Sequence, residues 1–162
     1  MNSGLGTASS SGFMKFETMN AGMEGVSGFV AFATGTSSLG NTGYFSIFTG
    51  SATNGRGGNI ELEVGNSDLG AGGDVLVTAG STGDANGHTG GGVEILSGYS
   101  KRTTSGVVTL STSNSGSGGV SGYISFSTGT SALGNSGQIR LETGYSYALG
   151  RGGNIRQVVG TG

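Results

Sequence analysis

Residues 26–43 read VSGFVAFATGTSSLGNTG, and residues 120–137 read VSGYISFSTGTSALGNSG. The two stretches agree at 12 of 18 positions across an offset of 94 residues, and the replacements are mild (Phe for Tyr, Val for Ile, Ser for Ala). Each contains a glycine, a short run of alternating apolar residues, a small residue, and then a polar segment ending in another glycine. Working outward in both directions, the glycine that opens such a run recurs at Gly12, Gly28, Gly43, Gly58, Gly73, Gly91, Gly106, Gly122, Gly137 and Gly153, with spacings of 15 to 18 residues. A self-similar period of this length is the signature of a repeat architecture.

Two apolar columns ride on that period. The second position after each glycine holds Met14, Val30, Phe45, Ile60, Val75, Val93, Val108, Ile124, Ile139 and Ile155. The fourth holds Phe16, Phe32, Ile47, Leu62, Val77, Ile95, Leu110, Phe126 and Leu141, with Gln157 the exception. Alternation over five or six residues, rich in β-branched and aromatic side chains, predicts a strand with one buried face. Such strands at near-constant spacing admit a meander of hairpins or a β-solenoid. Identical columns stack on one another only when the runs are parallel. The expectation is therefore an all-β fold: a short-coil parallel β-solenoid of about ten coils, 15–16 residues each, without helical caps.

The predicted core is Val30, Phe32, Phe45, Ile47, Ile60, Leu62, Val75, Val77, Val93, Ile95, Val108, Leu110, Ile124, Phe126, Ile139 and Leu141. Leu39, Leu69 and Leu133, in the polar half of the coil, are expected to point inward beside it. Gly28, Gly43, Gly58, Gly73, Gly91, Gly106, Gly122, Gly137 and Gly153 are expected to supply positive-φ corners. The long segment at residues 80–92 reads as an outward bulge. The whole chain, 1–162, then reads as a single solenoid made of about 1.7 copies of a 94-residue, six-coil unit, roughly 12–105 and 106–162. It reads as a piece of a longer array, or as a subunit whose ends neighbours cover.

Composition narrows the function classes. Glycine makes up 38 of 162 residues, only 10% of residues are charged, and the net charge is −2. Lys15, Arg56, Lys101, Arg102, Arg140, Arg151 and Arg156 are scattered, which argues against a nucleic-acid interface needing clustered cations. There is no cysteine for a disulfide or a thiolate metal site. No apolar run approaches membrane-spanning length, so membrane insertion is not expected, and MNSGLGTASS at the start lacks the basic and apolar segments of a secretion signal.

Chemistry-bearing constellations are sparse. His88 is the one histidine, with Asp84 nearby, and reads as a solvated loop residue without further ligands. Asp68, Asp74 and Asp84 fall in different repeats, and the calcium-binding nonapeptide is absent. Neither lysine follows the glycines of a phosphate-binding loop. Serine and threonine are abundant, but no base is placed to activate them. The expectations are accordingly no enzyme, no catalytic residue, no metal and no cofactor.

A threonine column (Thr18, Thr34, Thr49, Thr112, Thr128, Thr143) raises ice binding, although alternation points those side chains inward. Exposed aromatics at Phe29, Tyr44, Tyr99, Tyr123 and Tyr145 raise carbohydrate binding or, preferably, lateral contact with a neighbouring rod. Between the internal copies the columns agree while outward residues differ: Ser46 aligns with Arg140, and Glu61 with Arg156. A shape conserved under a varying surface suits a spacer or fibre better than a ligand face.

The units T-G-T-S-x-L-G-N-[ST]-G and G-G-N-I resemble the Gly/Ser/Thr-rich surface repeat proteins of unicellular algae, and more loosely the solenoid stalks of adhesins and fibres. That resemblance implies an extracellular or cell-surface structural role and transfers no functional residues. The expected function is a structural repeat module of an extracellular filament, stalk or appendage. It would assemble with itself, end to end or laterally, by coil stacking, or with neighbouring repeats of a longer chain. An ice-binding or carbohydrate-binding solenoid is the alternative.

Overall fold

The computed structural model of the chain describes Ser3 and residues 10–161; most of the opening stretch MNSGLGTASS lies outside them. It corrects the expected fold. Among the described residues there is no strand and no helix, and no β-solenoid forms. The chain divides into two units, Met1–Leu76 and Val77–Gly162.

In the first unit the chain bends at 23–24, 38–40, 53–55 and 68–70. Each bend lies in the polar segment between two apolar runs, and each polar segment closes on itself at a neck. Gly28 faces the side chain of Thr18, Gly43 faces Thr34, Gly58 faces Thr49 and Gly73 faces Val64. The Thr18 hydroxyl donates to the Gly28 carbonyl at 3.2 Å. The glycine is needed here for room. A Cβ on Gly28 would lie 3.2 Å from the Thr18 methyl, and one on Gly73 would lie 2.9 Å from Val64 Cγ1, closer than packed atoms tolerate.

The second unit repeats the device. Its bends fall at 85–86, 101–103, 117–119, 132–134 and 147–150. Gly122, Gly137 and Gly153 face Thr112, Thr128 and Thr143. Backbone hydrogen bonds cross three necks: Gly91 N–H to Gly80 O at 2.9 Å, Gly106 to Gly98 at 2.9 Å, and Gly153 to Gly144 at 3.4 Å.

These necks explain why the solenoid fails. A parallel coil must carry the chain back so that each run starts beside the start of the last one. Here the end of one run sits beside the start of the next. Around the 34–43 neck, the side chains two residues outside each partner meet: Phe32 stacks on Phe45 with ring centroids 6.2 Å apart. Phe16 meets Phe32 edge to face at 6.5 Å. Phe16 and Phe32 share the fourth column, but Phe32 also stacks on Phe45 of the second, a cross-column contact that a parallel coil does not make. The polar segment is spent on a closed loop, and no return arc is left to form the second side of a coil.

The expected core is likewise corrected. None of Val30, Phe32, Phe45, Ile47, Ile60, Leu62, Val75, Val77, Val93, Ile95, Val108, Leu110, Ile124, Phe126, Ile139 and Leu141 is buried. The chain exposes 16862 Å², against about 7,300 Å² for a compact monomer of this length. Leu39, Leu69 and Leu133 are fully exposed at the loop tips, since the bends carry them away from the runs.

The corner glycines are also reassigned. Among the described residues, positive φ occurs at Gly70 (126°) and Gly87 (89°), neither of which is an expected corner. Gly28, Gly43, Gly58, Gly73, Gly91, Gly106, Gly122, Gly137 and Gly153 sit at necks without a left-handed backbone; an added Cβ would be crowded at Gly28, Gly73, Gly91, Gly106 and Gly153 and would make ordinary contact at Gly43, Gly58, Gly122 and Gly137.

Candidate functional site

The alternation in the sequence survives as a difference in exposure. The apolar residues of the two columns retain 44–77% of their surface, while the apolar residues that point the other way, such as Phe13, Phe29, Tyr44, Phe48, Leu76, Leu96, Val107 and Tyr123, retain 80–89%. The inward-leaning face therefore runs as an apolar stripe along each unit, shielded in part by its own loops and covered by nothing else. Partners on the opposite face are polar as well as aromatic. Lys15 pairs with Glu17 at 2.5 Å, and Arg140 pairs with Glu142. Both pairs are two residues apart on one side of a run, as alternation requires.

The threonine column lines the necks, where its methyl groups pack on the glycines. Of the proposed lateral contacts, Phe29, Tyr44, Tyr99 and Tyr123 project from the chain with most of their surface free. Tyr145 behaves differently. Its ring lies 4.7 Å from that of Tyr147 at 64°, and the two hydroxyl oxygens are 2.6 Å apart.

The segment 80–92 does form a loop, closed by the Gly91–Gly80 bond. Inside it Asp84 organises its neighbours. Its Oδ1 accepts from the Asn86 backbone N–H and from Asn86 Nδ2, each at 2.9 Å. Its Oδ2 accepts from His88 Nδ1 at 2.6 Å. The Thr82 hydroxyl accepts from the Asp84 N–H at 3.2 Å, and Gly87 takes the positive φ that turns His88 back. The Asn86 backbone bond, and then the bond from His88, hold the Asp84 carboxyl below its ordinary pKa. The two residues that were read as merely near each other are thus joined.

Among the described residues no three histidine or acidic side chains gather as a metal set, and no enclosed pocket forms. Among the same residues no helix is long and apolar enough to cross a membrane. No protein-family model, curated protein or solved structure matches the chain.

Proposed function

We propose that the chain is a structural repeat segment of an extracellular filament, cell-surface stalk or related appendage, and that it works by joining copies of itself. The observation that carries this reading is the uncovered apolar stripe. Full burial of one Val, Ile, Leu or Phe side chain is worth roughly 1.5–3 kcal/mol, and the chain leaves about half or more of that surface uncovered along its described length. A stripe with a 15–18-residue period is matched best by a partner with the same period. A second copy of this chain meets that condition, as do neighbouring repeats of a longer one. The agreement of the columns between internal copies, against the drift of outward residues, supports a joining face under a tolerant surface. The external placement rests on the Gly/Ser/Thr-rich resemblance. The reading assigns no reaction, cofactor, nucleic acid or membrane partner.

Sedimentation and negative-stain electron microscopy over a concentration series test it. The expected result is growth of uniform filaments with concentration. Replacement of Ile124 and Ile139 by Asp should hold the chain monomeric, because each change places a charge in the joining face. A wild-type chain that stays monomeric throughout overturns the proposal, as does a charged variant that assembles equally well. Monodisperse chains that depress the freezing point without melting-point change would move the assignment to ice binding.

A further inference from the structure

We propose that Tyr145 and Tyr147 form an oxidative coupling site, at which an external one-electron oxidant joins their two phenol rings through a carbon–carbon bond between ortho positions. The rings are already in contact, with centroids 4.7 Å apart. Their oxygens share a hydrogen bond of 2.6 Å, which brings the carbons flanking each hydroxyl toward one another. Both rings are largely exposed, so a diffusing oxidant reaches them without any opening of the chain. The loop that carries them is closed at its base by the Gly153–Gly144 backbone bond. At its far side Gly150 lies so close to Ser146 that a Cβ there would fall 2.7 Å from the serine oxygen. The pair is therefore held on a short, tied loop. The hydrogen bond with Tyr145 raises the pKa of Tyr147 above its ordinary value.

Each phenol gives up one electron to the oxidant and its hydroxyl proton to water. The two phenoxyl radicals share their unpaired spin with the ortho carbons, where the new bond forms. The hydrogens on those carbons then move to the two oxygens and restore aromaticity. The product lacks two hydrogen atoms. Tyr44, Tyr99 and Tyr123 have no aromatic ring pair among the described residues and are slower, inter-chain reactants. The proposal holds for a single chain and does not depend on self-association.

The test uses the dilute full chain with a ruthenium photosensitiser and persulfate, which takes up the two electrons and becomes two sulfates. Trypsin cuts after Arg140 and Arg151, so residues 141–151 leave as one peptide holding both rings, while Tyr44, Tyr99 and Tyr123 leave in three others. The expected result is a 141–151 peptide two hydrogens lighter, with the blue fluorescence of a biphenol. The product should vanish in Y145F and in Y147F and fall several-fold in urea, where the loop is released. Absence of the internally coupled peptide overturns the proposal. So does coupling that joins the other tyrosine peptides as readily, and so does an internal yield that urea leaves unchanged, since sequence adjacency alone would then account for it.

Discussion

At the scale of single residues, the best-defined chemistry lies in the Asp84 loop. A carboxylate accepting a backbone N–H, a side-chain amide and an imidazole is stabilised in its charged form, and its pKa falls below the ordinary 3.8. The folded value is therefore lower than the unfolded one. The loop's stabilisation is fully present above about that ordinary value and is lost as pH falls through the lowered one. The Asn86 amide resonance should hold its position down to the ordinary carboxylate range and shift toward a random-coil value below it. Asp84→Asn should give the shifted value at neutral pH. An Asn86 resonance unmoved by acid or by the substitution would show that the Asx turn is not what orders the loop. Gly73 allows a second test at this scale. An added Cβ meets Val64 Cγ1 at 2.9 Å, whereas at Gly43 the nearest atom is 3.6 Å away. Gly73→Ala should abolish the nuclear Overhauser contact between residues 64 and 73, Gly43→Ala should keep its own, and Val64→Ala should rescue the first. Overpacking costs 1–3 kcal/mol in a tight core, on the order of a fraction of that here, because an exposed neck can open.

At the scale of the repeating element, the neck is the unit that replaces the coil. Hydrogen exchange separates the necks by their bonding. The Gly91 and Gly106 amides, each in a 2.9 Å bond, should exchange more slowly than Gly153 at 3.4 Å. All three should be slower, by roughly tenfold or less, than Gly43, Gly58 and Gly137, whose necks close through side-chain packing. Equal rates at all six would deny the necks any persistence. The position of each neck was legible in the sequence. The residue six places after one glycine is small in most units and meets the next glycine, as in Thr34 with Gly43 and Thr128 with Gly137, while Val64 takes that place before Gly73. Their meaning was not legible. A periodic apolar column states which side chains share a face, and says nothing about whether the chain returns to the start of the previous run or stops at its end. Strand pairing is set by non-local hydrogen bonds, and a one-chain pattern is equally compatible with both paths. The Asp84–His88 pair and the Tyr145–Tyr147 pair were within reach of spacing alone, since both are short-range. Leu39, Leu69 and Leu133 were misplaced inward because an apolar residue in a polar loop has no local signal for its direction.

At the scale of the whole molecule, the decisive quantity is apolar surface. Ordering a residue costs about 1–2 kcal/mol of backbone entropy, and glycine, at 38 of 162 residues, raises that demand above the average. The offsetting burial is not made within the chain. An isolated chain should therefore lack the thermodynamic marks of a cooperative domain. A compact protein of this length gains about 2 kcal/mol/K of heat capacity on unfolding, because unfolding wets its core. Here the columns are already wet, so scanning calorimetry at low concentration should show no endotherm, and the denaturant slope should approach zero. Raising the concentration until copies join should change both. Covering the stripe removes apolar surface from water, and an endotherm with a positive heat-capacity step should then appear, moving to higher temperature as concentration rises by mass action. The Ile124 and Ile139 to Asp variant should show neither. An endotherm at low concentration, independent of concentration and accompanied by a full heat-capacity step, would mean that one chain buries its own columns, and the joining role would lose its driving force.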